Sequence, residues 1–127
     1  MRRAALALLF VSACAGTRSD LCRTLLDEQR ALAEKARDCE TALAAPPVDQ
    51  CAAAASACTD ADRRLLESEA ACVKNLPRCI DPQTCKGDSC VDATPGADAA
   101  WRDQRDGCRR LAAEVSAVCA AALNRTR

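Results

Sequence analysis

Eleven cysteines carry nearly all the reactive side-chain chemistry of this 127-residue chain. They stand at Cys14, Cys22, Cys39, Cys51, Cys58, Cys72, Cys79, Cys85, Cys90, Cys108 and Cys119. A cysteine sulfur can take a lipid, ligate a soft metal, exchange with a disulfide or close a structural bridge. The count is odd, and Cys14 is set apart at the end of an apolar N-terminal run. The ten others form an even set suited to disulfides. Other catalytic routes lack their usual groups. The chain has no His and no Tyr, and neither a CxxC redox or zinc pair nor a GxGxxG or Walker loop occurs. The expectation is a non-enzyme without cofactor or metal.

The N-terminus runs Met1-Arg2-Arg3, then an uncharged apolar stretch with Leu6, Leu8, Leu9 and Phe10, then Ser12-Ala13 before Cys14. Charge, apolar run and small residues follow the order of a secretory signal. The run is about half the roughly 20 residues a bilayer-spanning helix needs.

Val11-Ser12-Ala13-Cys14 resembles the lipobox of bacterial lipoproteins. That resemblance implies a signal peptide over residues 1–13, lipid attachment at Cys14 and acylation (palmitate) of the new N-terminus. Ala15 after the cysteine implies outer-membrane sorting. Residues 14–19 then read as a lipidated tether, 20–124 as a cysteine-rich helical domain and 125–127 as a basic, frayed tail. Asn124-Arg125-Thr126 matches a glycosylation sequon and is read as chance.

Without Arg2 and Arg3, 16 basic side chains face 18 acidic ones. No basic field for nucleic acid results. The expected partners are the membrane, through the lipid, and an envelope protein. Residues 14–127 hold ten Leu, five Val, Ile80 and Trp101 as their bulky apolar residues. So thin a core calls for covalent staples, and an exported chain meets conditions that form them.

Three segments carry helical periodicity. Cys22, Leu25, Gln29, Leu32, Ala36, Cys39 and Leu43 form the first stripe, ended by Ala44-Ala45-Pro46-Pro47. Cys51, Cys58, Leu65, Cys72 and Cys79 recur every seventh residue and predict one continuous helix over 48–76, with Thr59-Asp60-Ala61-Asp62 as the point where it would break. Residues 75–96 hold three prolines, two glycines and Cys79, Cys85 and Cys90, and read as a loop cross-linked by its own cysteines. Trp101, Cys108, Leu111, Val115, Val118 or Cys119, and Ala122 predict a third helix over 98–123, with Trp101 as a core anchor. Acidic residues fall mostly on the solvent faces. The expected fold is all-α: a small disulfide-stapled antiparallel three-helix bundle, or four short helices if the second breaks, with a Cys/Pro-rich loop.

In an antiparallel hairpin turning near Ala45-Pro46, Cys39 faces Cys51 and Cys22 faces Cys72. Cys58 with Cys119 then ties in the third helix, and Cys79, Cys85, Cys90 and Cys108 share two bridges. The rival pairing sets Cys72–Cys108 beside Cys58–Cys119. Spacing alone leaves the two open. In size and cysteine count the chain also resembles bacterial copper-storage proteins, helical bundles lined with thiols. It lacks their dense CxxxC repeats. Thiolate storage of Cu(I) or another metal in the envelope is therefore the alternative function to a non-catalytic structural or partner-binding module.

Overall fold

The structure, a computed structural model, describes residues 18–39, 48–92 and 94–125. Cys14, the signal and lipobox, and the Pro46-Pro47 stop lie outside the described residues. Within them the order is α1 (Arg18–Ala36), α2 (Val48–Ala55), α3 (Asp60–Asn75), β1 (Gln83–Lys86), β2 (Ser89–Asp92), α4 (Ala97–Arg110) and α5 (Ala117–Ala122). The fold is mostly helical, but it is not all-α, because β1 and β2 form an antiparallel sheet.

α1 starts at Arg18, inside the stretch read as tether. It buries Leu21, Cys22, Leu25, Glu28 and Ala36. The buried line runs one residue earlier than the expected stripe at its middle, so Glu28 takes the inner position and Gln29 stays half-exposed. Lys35 in the last turn donates from Nζ to Lys74 O at 2.8 Å and to Leu76 O. Its ammonium thus caps the carbonyl end of α3, where a cation is favoured.

The expected continuous helix over 48–76 is divided. Backbone turns close on Ala53, Ala54 and Ala55, and Thr59 opens α3 with a capping box. Thr59 Oγ1 accepts from Asp62 N at 3.1 Å, and Thr59 N donates to Asp62 Oδ2 at 2.8 Å. These bonds satisfy helix-start donors that a continuous helix would have paired internally. α3 ends where Pro77 disfavours helix in the residue before it, with Leu76 extended at φ −60°, ψ 141°.

The third predicted helix is also divided. After α4, tight turns carry residues 111–115, and Ser116 caps α5 by accepting from Cys119 N at 3.3 Å. The break buries Val115 and Cys119 and leaves Leu111 and Val118 outside. α5 closes with Asn124 left-handed at φ 58°. Asn124 N bonds Ala121 O and Arg125 N bonds Ala120 O, the paired bonds of a Schellman cap.

Two buried clusters result. Leu21, Cys22, Leu25, Ala55, Leu66, Val115, Cys119 and Ala120 form the first. Ala36, Val73, Leu76, Cys79, Trp101 and Cys108 form the second. The start of α1 thus meets the start of α3, and the end of α1 meets its end. Lys35–Lys74, Lys35–Leu76, Asp38–Arg78 and Cys39–Cys79 are partners 39 to 41 residues apart. A constant difference marks parallel helices, so α1 and α3 run parallel, not as the expected antiparallel hairpin. α4 runs antiparallel to α3. Trp101 Nε1 donates to Pro77 O at 2.8 Å at one end, and Cys108 meets Cys72 further along.

Candidate functional site

Five disulfides join the ten described cysteines. Cys22–Cys51 ties α1 to α2, and Cys39–Cys79 ties the segments that follow α1 and α3. Cys58–Cys119 ties the start of α3 to α5, and Cys72–Cys108 ties α3 to α4. The expected Cys39–Cys51 and Cys22–Cys72 pairs are replaced, because both presumed an antiparallel return. In the parallel arrangement Cys22 is far along α3 from Cys72, and Cys79 lies beside Cys39. The Cys58–Cys119 pair is common to both expected pairings, and Cys72–Cys108 is that of the rival.

These four bridges span 29 to 61 residues. In the chain-entropy account the longest closes a loop worth about 4 kcal/mol against the unfolded state. Each has one cysteine that is almost wholly buried: Cys22, Cys79, Cys119 and Cys108.

The fifth differs in every respect. Cys85 and Cys90 face each other across β1 and β2, five residues apart, and both are exposed. Gly87 at φ 61° and Asp88 form the two-residue turn between Lys86 and Ser89. A first turn residue with positive φ followed by one without it fits a type II′ turn, which demands glycine there. Asp81 Oδ1 accepts from Gln83 N at 2.8 Å and sets the entry to the hairpin.

Three acidic side chains expected at the surface are buried: Glu28, Asp62 and Glu69. Glu28 and Glu69 sit between the two apolar clusters, on α1 and α3. Glu69 is 2% exposed and pairs with the Arg125 guanidinium. Arg125, read as a frayed tail, is delivered there by the Schellman cap. Glu28 Oε2 has no hydrogen-bond partner among the described residues. Burial foremost, then the neighbouring Glu69 charge, pushes the Glu28 carboxyl up to about 7, against the pull of Arg125 and Arg109. At or below that pH a protonated Glu28 can share a hydrogen bond with Glu69. Asp62 goes the other way. Hydrogen bonds from Ser116 and Thr59 hold its carboxyl down at about 2.

A raised carboxyl suits acid–base chemistry where substrate can reach it. A cleft of about 180 Å³ is lined by Cys22, Leu25, Gln29, Cys51, Ala121 and Arg125 among others, and not by Glu28 or Glu69. The acidic pair is enclosed between α1 and α3 and does not line that cleft. The signal that could have exposed it was positional. Glu28 lies three residues after Leu25, and Glu69 three after Leu66, each at helical spacing from a core leucine.

Trp101 is buried, with Arg105 stacked 5.6 Å above its ring. It serves as the anchor of the second cluster. Among the described residues no group of three or more His, Cys, Asp or Glu is placed to hold a metal, and no helix is long and apolar enough to cross a membrane. A scan of protein families, a search of curated proteins and a search of solved structures each find no match for this chain.

Proposed function

We propose that this chain is a bacterial cell-envelope lipoprotein, anchored through Cys14, whose disulfide-stabilised helical domain is a non-catalytic structural or partner-binding module. The observation that carries the reading is the set of four disulfides that join separate helical segments. Such a framework belongs to an oxidising compartment, and the Val11-Ser12-Ala13-Cys14 segment supplies a route to one. The outer membrane is the favoured site because Ala15 follows Cys14.

Metabolic labelling with a palmitate analogue tests the anchor. Label is expected on the wild type and lost in Cys14→Ala, with the variant released from the membrane fraction. Label retained by Cys14→Ala would overturn it. Crosslinking in intact envelopes then tests the module reading, for which a discrete protein adduct is expected. Thiol titration separates this reading from thiolate metal storage: the framework predicts no free thiol among the ten domain cysteines, and the storage reading predicts ten.

A further inference from the structure

We propose that Cys85–Cys90 is a thiol–disulfide exchange site, reducible by an external dithiol while the helical domain stays folded. The inference is independent of the lipid anchor and rests on three observations.

The first is access. Exchange requires a thiolate to reach a disulfide sulfur. Both Cys85 and Cys90 are exposed, whereas each other bridge has one cysteine buried in the core. The second is independence from the core. Neither Cys85 nor Cys90 belongs to either buried cluster, and Gln83, Lys86 and all four residues of β2 are exposed. A fold stabilises a disulfide by as much as the disulfide stabilises the fold. The four helical bridges are therefore protected by helix packing, and the fifth only by its hairpin. The third is responsiveness. An isolated two-stranded hairpin is marginal in water, so the bridge and the hairpin hold each other. Opening it converts a fixed tip, Lys86-Gly87-Asp88, into a flexible loop.

The chemistry balances with a dithiol as reductant. One dithiol thiolate attacks a hairpin sulfur, the S–S bond breaks, and the other hairpin cysteine leaves as a thiolate and takes a proton. The second dithiol sulfur attacks its partner in the mixed disulfide and releases the remaining hairpin thiol. Two electrons pass to the hairpin, and the dithiol becomes a disulfide.

The test uses the oxidised full chain, graded dithiothreitol, an iodoacetamide quench and peptide mapping. Cleavage after Lys86 places Cys85 and Cys90 in different peptides. Alkylation of Cys85 and Cys90 is expected at a dithiol concentration about tenfold below that which opens any other pair. The far-UV circular dichroism should be unchanged at that point. A Cys85→Ser/Cys90→Ser variant should keep the helical signal and lose the early thiol pair. Earlier opening of any helical bridge, simultaneous opening of all five, or loss of helix with the hairpin bridge would each overturn the proposal.

Discussion

Asp62 binds Ser116 across 54 residues of chain, accepting from its backbone N at 2.7 Å and its hydroxyl at 2.9 Å. The same carboxylate closes the capping box with Thr59. One side chain therefore serves the N-terminal ends of two helices, α3 and α5, beside the Cys58–Cys119 bridge. Bonds from neutral donors to a buried carboxylate are charge-assisted and stronger than neutral pairs. The two helix breaks meet at this contact: each supplies one set of donors for Asp62.

Asp62→Ala should destabilise the oxidised protein by about 2–4 kcal/mol, since it opens the capping box of α3 and leaves half-buried Ser116 donors without their acceptor. Thr59→Ala and Ser116→Ala should each cost less. Urea unfolding with disulfides intact measures all three. Because the Asp62 carboxyl is held down at about 2 from 3.8, its contribution is present above pH 3.8 and lost as pH falls toward 2. An Asp62→Ala protein that loses as much stability as the wild type over that range would contradict this assignment.

Glu28 has the opposite sign. Its carboxyl is raised to about 7 from 4.5, so the folded state holds a proton that the unfolded state releases. Stability is full below pH 4.5 and declines as pH rises to 7, by up to about 3 kcal/mol. Glu28→Gln, a neutral mimic, should flatten that decline and be more stable than the wild type at pH 8. Thermal melts from pH 4 to 8 would show it. A wild-type curve without a fall between 4.5 and 7 would remove Glu28 from this role.

Arg125→Ala should cost about 3–5 kcal/mol, because it leaves the Glu69 carboxylate buried without its counter-charge. Removing both charges, as Arg125→Ala with Glu69→Gln, should recover much of the loss. A double-mutant cycle measures the coupling. Additive effects would mean that the buried pair does not act as a unit.

Trp101→Phe should cost about 1 kcal/mol, the net worth of the bond to Pro77 O. Trp101→Ala should cost about 3–5 kcal/mol through the cavity left in the second cluster. Trp101 is the chain's one tryptophan, so its fluorescence follows wild-type unfolding directly, and circular dichroism serves the variants.

Paired deletion of cysteines should rank the bridges. Cys58→Ser/Cys119→Ser should lower the melting temperature far more than Cys85→Ser/Cys90→Ser, because it opens a loop of 61 residues instead of five and puts a hydroxyl at the fully buried position 119. Equal losses would contradict the division between framework and hairpin.

The sequence by itself determined that the chain is mostly helical and stapled by cysteines and that Trp101 is an anchor, but not the breaks in the second and third helices or the β1–β2 hairpin. Periodicity, prolines and a scarcity of bulky apolar residues are local or compositional signals, readable without a partner. The Thr59-to-Asp62 break point was visible too, but the contact that Asp62 makes there, with Ser116, lies 54 residues away. Only the tertiary structure decided that α1 and α3 run parallel. Short connections favour antiparallel neighbours, and nothing local records a crossover. That one reversal of direction moved Cys39 from Cys51 to Cys79 and Cys22 from Cys72 to Cys51. It also put Glu28 beside Glu69, and the α5 cap brought Arg125 to them. A charged residue at helical spacing reads as solvated until a facing helix encloses it, so burial of those carboxyls was a property of the assembled pair and not of either strip of sequence.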